Sequence, residues 1–211
     1  MVDEKKYYYS EIFHSIQGEG HYTGVPTAWI RFFLCNLQCS GFGQKDPTNP
    51  DTYELPYLNI DPQEFETLED LPVFNKGCDS SYSWSKKYKH LQRKGTPDEI
   101  VQRLTEMMIS PSNPKGRFQH PNGVWQHMCF TGGEPLMKHA QKAVPDILRA
   151  FKDDEYNMPE SVTFETNGTQ ELTPAFIDFF TNRGLFDQEL AAFLSLGGQI
   201  FYEAPVTNLL Y

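Results

Sequence analysis

Thr27-Ala-Trp-Ile-Arg-Phe-Phe33 is a run of aromatic and branched side chains that reads as a buried β-strand. A loop with two thiols, Cys35-Asn-Leu-Gln-Cys39, follows it almost at once. Val124–Phe130 and Ser161-Val-Thr-Phe-Glu165 read as two further strands. Helices are expected between and after them. Thr96-Pro-Asp-Glu99 has the order of a capping box with proline in the first turn. Ile100, Val101, Leu104, Met107 and Met108 follow it at helical spacing as one buried face. A second helix is expected from about Leu136 to Phe151, with Pro145 marking a kink or a fresh first turn. A third opens at Thr173-Pro174 and carries Phe176, Ile177, Phe179 and Phe180. Strands alternating with helices imply an α/β fold with a parallel sheet, outer helices and right-handed crossovers. At 211 residues the chain falls short of the ~250 typical of a closed eight-strand barrel, so an open, partial (βα) barrel is expected.

Length and composition fit one domain over residues 1–211, with 39% hydrophobic and 14% aromatic residues supplying a core. No apolar run approaches the ~18–20 residues of a membrane span. Met1-Val-Asp-Glu-Lys-Lys6 has no apolar stretch behind it to act as a signal peptide, so the expected address is the cytoplasm. There, four cysteines read as ligands, catalysts or buried thiols rather than disulfides. A net charge of −10 argues against a broad electrostatic grip on nucleic acid. Residues 40–77 change character. Pro47, Pro50, Pro56, Pro62 and Pro72 fall here, with eight acids against two lysines. They read as an insertion draped over the surface without a core of its own, with a short helix near Pro62–Leu68.

In a parallel sheet, chemistry gathers at the C-terminal strand ends, here Leu34–Cys39, Thr131–Pro135 and Thr166–Thr169. Cys35 and Cys39 can fold back onto one metal centre, and Cys78-Asp79-Ser80 offers a third thiol beside two hard oxygens. Three thiolates leave one iron of a 4Fe–4S cluster open to a small molecule. Zinc with Cys129 as fourth ligand is the rival, although Met128-Cys-Phe130 reads as a core strand position for that thiol. Spacing alone leaves the two metals comparable. Phe130-Thr-Gly-Gly-Glu-Pro135 favours the first. Gly132 and Gly133 let the backbone approach a ligand and expose N–H groups, and Glu134 can receive a cationic amine. With three thiols nearby, this suggests a ligand carrying both amine and carboxylate, such as the methionine part of S-adenosylmethionine.

These motifs together resemble the radical S-adenosylmethionine superfamily: Cys35/Cys39/Cys78, Thr131-Gly-Gly-Glu-Pro135 and Glu165-Thr-Asn-Gly-Thr169. Glu11-Ile-Phe-His-Ser-Ile-Gln-Gly-Glu-Gly20, Thr23-Gly-Val-Pro26 and Arg31 narrow the resemblance to the 7-carboxy-7-deazaguanine synthase family. It covers roughly residues 8–39, 78–84 and 129–183. The family's third cysteine normally follows two residues after the second, whereas residues 40–77 fill that gap here. Loop closure costs grow slowly with length, so the ligand set is expected to survive.

The resemblance implies a lyase that rearranges 6-carboxy-5,6,7,8-tetrahydropterin to 7-carboxy-7-deazaguanine, with release of ammonia, in queuosine-type biosynthesis. It implies a 4Fe–4S cluster on Cys35, Cys39 and Cys78, S-adenosylmethionine, and Mg²⁺ at Ser80, where the family usually has threonine. Implied substrate contacts are Ile16, Gln17, Gly18, Glu19, Arg31 and Thr131. A planar guanidinium at Arg31 suits the substrate carboxylate. Gly132, Gly133, Glu134, Glu165 and Asn167 fall to the cofactor. An electron-donor flavoprotein and a homodimer are the implied partners.

Read without the family, Arg31 is a strand residue facing solvent, and Gln17 and Glu19 cap a turn. The six histidines form no metal-spaced pair. Lys86, Lys87, Lys89, His90, Arg93 and Lys94 read as a solvated basic face. The family's Ser-Pro-Lys segment has no counterpart; Ser195-Leu-Gly-Gly198 is the nearest string, in a tail from Gly184 that reads as altered. That departure keeps open a zinc-structured or inactive binding module derived from the family. A glycyl-radical activating enzyme is a further alternative, for which the loop at Gln17–Gly20 would have no purpose.

Overall fold

Tyr7–Ile16 (β1) and Pro26–Phe32 (β2) form an antiparallel hairpin in the computed structural model, which describes residues 4–18, 20, 22–151, 157–160 and 162–181. The short strand Arg93–Gly95 (β3) extends the hairpin on the outer edge of β1, again antiparallel. On the other side, β2 pairs in parallel with His127–Gly132 (β4), and β4 in parallel with Val162–Phe164 (β5). The order is β3-β1-β2-β4-β5. The sheet is therefore mixed rather than wholly parallel, and among the described residues it is open.

The parallel half matches the three expected strands, with β4 displaced a few residues toward Gly132. The antiparallel half was not expected. In β1 a register shift between Tyr9 and Glu11 moves the buried set from Tyr7 and Tyr9 to Ser10 and Ile12, which erases the period of two that marks a strand.

Helices cover the sheet as expected. Pro97–Met107 (α2) begins with a complete capping box: the Thr96 hydroxyl accepts the Glu99 N–H at 3.2 Å and the Glu99 carboxylate accepts the Thr96 N–H at 2.8 Å. Its buried face is Ile100, Val101 and Leu104, continued by Met108; Met107 points outward at 41% exposure. Lys138–Ala150 (α3) holds Pro145 within it, and Pro174–Thr181 (α4) buries all four expected apolar residues. These helices bury one continuous cluster that includes Ile30, Phe32, Phe130 and Phe164 at 0–1% exposure. The tail from Gly184, with Ser195–Gly198, lies outside the described residues.

Residues 40–77 do form a core, contrary to expectation. Tyr57, Leu68 and Phe74 pack with Tyr88 and Leu91 from beyond the insertion. The fully buried Tyr88 donates its hydroxyl to the Tyr57 carbonyl at 2.7 Å. One four-residue α-turn, Pro56–Asn59 (α1), and short 3₁₀ turns at Pro50–Thr52, Pro62–Glu64 and Leu68–Asp70 replace the single expected helix. Pro50, Pro56 and Pro62 take the first position of three of these turns, where the missing N–H costs nothing.

Candidate active site at the parallel strand ends

The C-terminal ends of β2 and β4 lie side by side, with Phe32 level with Gly132. Past them the pairing continues: Gly133 donates its N–H to the Phe32 carbonyl at 3.3 Å and Glu134 to the Leu34 carbonyl at 2.9 Å. A Cβ on Gly132 would stand 2.6 Å from the Phe32 carbonyl oxygen. One on Gly133 would stand 2.6 Å from the Leu34 oxygen and 2.7 Å from the Cys35 Cβ. The two glycines thus let the Cys35 segment lie against the Gly-Gly-Glu-Pro loop. The N–H groups of Gly133 and Glu134 are spent on that approach and are not displayed to a ligand as expected. Leu34 and Cys39 both take positive φ, 88° and 48°, unusual for residues with side chains.

Cys35, Cys39 and Cys78 are half-exposed and form no disulfide. The insertion does not part them, because it is closed at its neck: Gly77 donates its N–H to the Phe42 carbonyl at 2.7 Å. Gly43 packs so close to the Asn75 carbonyl that a Cβ would stand 2.7 Å away. Burial pushes up the Cys35 thiol, and Glu134, Cys39 and Cys78 add to the shift. Cys39 is raised by burial and then by Cys78. Among the described residues, no three Cys, His, Asp or Glu side chains are grouped to hold a single metal ion. A four-iron cluster asks for less convergence, since each thiolate takes its own iron. Three thiols free of disulfides, on segments that the closed neck of the insertion keeps adjacent, are soft donors of the kind that an iron–sulfur cluster takes. Cys129, at 0% exposure within β4, stands apart as a core thiol, and burial pushes it far up.

Glu134 is sealed at 0% exposure. Its carboxylate accepts the Leu136 N–H at 2.8 Å, the Thr166 hydroxyl at 2.6 Å and the Asn167 N–H at 2.8 Å. It ties two site loops together, and that burial corrects its expected role as receiver of a cofactor amine. Asn167 continues the clasp: its amide donates to the Asn36 side chain at 3.2 Å and stands 3.8 Å from the Cys35 sulfur. Asn36 in turn donates to the Thr169 hydroxyl at 2.7 Å.

On the other side of Gly132, Arg31 donates through Nε to Glu11 at 2.9 Å. Its Nη1 reaches the Ser80 hydroxyl at 3.3 Å and the Gly132 carbonyl at 3.4 Å. Tyr82 donates to the same Glu11 oxygen at 3.2 Å, and burial pushes its phenol up to about 12. The Ser80 hydroxyl donates to Asp79 at 2.9 Å, so two hard oxygens stand together there. The buried Gln17 reaches the Glu165 carboxylate at 3.4 Å, bringing the hairpin loop to the end of β5. Thr131 is buried at 5% exposure, whereas Ile16 is 58% exposed and Gly18 is also open to solvent. Glu19 lies outside the described residues.

Seven of the expected residues gather into two linked groups, and Gln17 and Glu165 make a separate pair. Cys35, Gly133, Glu134 and Asn167 form one; Arg31, Ser80 and Gly132 form the other. Glu11, Tyr82, Asn36, Thr166 and Thr169 join them without having been singled out. Glu11 sits directly opposite Arg31 in the hairpin register, a relationship that only the structure displays.

No protein-family model matches the chain. A protein of Thermoplasma acidophilum is 29% identical over 160 residues, covering 76% of this chain and 46% of its own length. Its name is 7-carboxy-7-deazaguanine synthase. The chain is similar to 7-carboxy-7-deazaguanine synthases. A second synthase, from Buchnera aphidicola, is 24% identical over 171 residues, with 76% of this chain and 54% of that protein covered. The synthase of Bacteroides thetaiotaomicron is 61% identical over 31 residues, 15% of this chain. The chain spans about half the length of the synthases that it matches most extensively. The crystal structure of QueE from Escherichia coli overlaps at a TM-score of 0.37 and 19% identity, over 79% of this chain and 54% of that one.

Proposed function

We propose that this chain performs the 7-carboxy-7-deazaguanine synthase reaction, the rearrangement of 6-carboxy-5,6,7,8-tetrahydropterin with loss of ammonia. The observation that carries the reading is the junction of three loops at the parallel strand ends, in a chain 29% identical over 160 residues to a protein of that name. Cys35, Cys39 and Cys78 would hold a 4Fe–4S cluster. With S-adenosylmethionine bound, such a cluster supplies one-electron radical chemistry that side chains cannot.

The chain's own residues position and enclose. Arg31, held by Glu11 from one side, offers its fork to the substrate carboxylate. Gln17 and Glu165 supply an amide and a carboxylate to the ring edge, and Glu19, Ile16 and Gly18 belong to the same hairpin loop. Thr131 underlies them. Ser80 and Asp79 would hold Mg²⁺ once Arg31 Nη1 yields the Ser80 oxygen. Gly132, Gly133 and Asn167 border the cofactor, while Glu134 fixes the loops that carry them.

The finer reading of the sheet is a partial (βα) barrel of the radical S-adenosylmethionine type, within a single domain over residues 1–211. Among the described residues no helix is long and apolar enough to cross a membrane. A cytoplasmic homodimer receiving its electron from a flavoprotein completes the proposal. The basic turn Lys86–Leu91 offers such a donor a complementary surface.

The test is anaerobic reconstitution with iron and sulfide, followed by assay with carboxytetrahydropterin, S-adenosylmethionine, reductant and Mg²⁺. The proposal expects a product with the mass of 7-carboxy-7-deazaguanine. A full cluster with the pterin unchanged would contradict it.

A further inference from the structure

Cys35 differs from the other two candidate cluster cysteines in what faces its sulfur. The Leu37 N–H donates to Cys35 Sγ at 3.3 Å, and the Asn167 side-chain amide approaches the same atom at 3.8 Å. Among the described residues no hydrogen bond reaches the sulfur of Cys39 or Cys78. Both Cys35 and Asn167 are half-buried, so water competes only partly for this contact.

The orientation of the amide follows from its neighbours. Asn167 Oδ1 accepts the Thr169 N–H at 3.1 Å and the Thr169 hydroxyl at 2.6 Å. A backbone N–H can only donate, so the amide oxygen belongs on that side and its NH₂ group on the side of Cys35. One of the two amide hydrogens goes to Asn36 Oδ1 at 3.2 Å, which leaves the other for the sulfur. The Asn36 amide donates to the Thr169 hydroxyl at 2.7 Å and closes a ring of three side chains. From the other end, the sealed Glu134 carboxylate holds the Asn167 backbone N–H at 2.8 Å. The turn at Thr169 uses only the amide oxygen, which aspartate would supply as well, and Asn36 takes only one hydrogen. The second hydrogen is what these partners leave unexplained.

A sulfur bound to iron carries more negative charge when its cluster is reduced, and an N–H aimed at it stabilises that state. Hydrogen bonds to the sulfurs are one of the levers by which a protein sets a cluster's reduction potential. We propose that the Asn167 amide, with the Leu37 N–H beside it, raises the reduction potential of a cluster held by Cys35 and so eases its one-electron reduction. The inference rests on the reading of Cys35, Cys39 and Cys78 as cluster ligands. Asn167 is then a positioning residue that acts through the Cys35 sulfur.

The test is the midpoint potential of the full chain after anaerobic reconstitution, followed by electron paramagnetic resonance during a reductive titration. Asn167→Ala should shift the equilibrium constant for one-electron reduction about tenfold toward the oxidised cluster, which is about 59 mV. Asn167→Ser keeps an acceptor for the Thr169 N–H but is too short to reach Cys35. It should shift the constant likewise, and it decides the matter if the alanine variant loses its cluster. Asn36→Ala opens the ring and leaves the donor in place, so its constant should stay within about twofold of wild type. An unchanged potential in an Asn167 variant with its cluster intact, or an equal fall in Asn36→Ala, would overturn the inference and leave the cluster ligands standing. Loss of the cluster from both Asn167 variants would mark a structural role and overturn it too. A wild-type chain that takes up no iron would overturn the ligand reading itself, and this inference with it.

Discussion

Glu134 and Asn167 join two of the three site loops: the sealed carboxylate of Glu134 accepts the Asn167 backbone N–H at 2.8 Å. Glu134→Ala would strand that N–H, the Leu136 N–H and the Thr166 hydroxyl. The expected loss is about 2–4 kcal/mol, from several unpaired buried donors at once, read by chemical denaturation. Burial raises the Glu134 carboxyl, and its three hydrogen bonds hold part of that rise back. A raised folded value means the folded chain binds the extra proton between the unfolded value near 4.3 and the folded one. This carboxyl's contribution to stability is therefore present at acid pH and falls as pH climbs through that window. Glu134→Gln should remove the fall, as denaturation at a series of pH values would show.

Gly133 and Gly18 should respond oppositely to alanine. At Gly133 the new Cβ meets the Leu34 oxygen at 2.6 Å and the Cys35 Cβ at 2.7 Å, neither of them the tip of a flexible side chain. A cost of about 2–3 kcal/mol and a weakened hold on iron are expected, by melting and iron analysis. At Gly18 nothing stands within 4 Å. Gly18→Ala should leave stability within about 0.5 kcal/mol while raising KM for the pterin.

Arg31 and its support from Glu11 and Tyr82 make a separate prediction. Arg31→Lys keeps the charge but loses the fork, worth about 1.5–3 kcal/mol in charge-assisted bonding. That corresponds to roughly a ten- to hundredfold drop in kcat/KM. Tyr82, pushed up to about 12 chiefly by burial, should remain a donor well above the ordinary tyrosine range. Because its folded value is raised, its contribution to stability is lost as pH rises from about 10 to about 12. Burial pushes Tyr88 up to about 12 as well, so tyrosinate absorbance should show a late-titrating component whose amplitude falls by one tyrosine in Tyr82→Phe.

The insertion's own core yields a stability test remote from the site. Phe74, 3% exposed, packs in the cluster of Tyr57, Leu68, Tyr88 and Leu91. Phe74→Ala should cost about 3 kcal/mol by denaturation, as buried phenylalanines do. A change under about 0.5 kcal/mol would mean the segment is draped rather than packed.

Much of this was legible because local chemistry and global fold agree. The Thr96 box, the strand Thr27–Phe33 and the helix from Thr173-Pro174 each needed only their own neighbours. The pairing partners of β1 were not legible, since the shift at Tyr9/Glu11 hides its alternation and β3 is too short to announce itself. The insertion's core was hidden because its apolar residues are dispersed among prolines and acids, and Tyr88 and Leu91 complete it from outside. Glu134 read as a ligand for an amine because sequence shows its chemistry but not its burial. Asn36 was passed over for the same reason: its partner Thr169 is remote in sequence.

Cluster assembly on three sulfurs is the centre of the account, and iron stoichiometry after anaerobic reconstitution tests it most directly. About four irons per chain are expected in the wild type and in Cys129→Ala, with collapse of that number in Cys35→Ala, Cys39→Ala and Cys78→Ala alike. A full complement of iron in any one of those three variants, or one tightly held zinc per chain in place of iron, would contradict it.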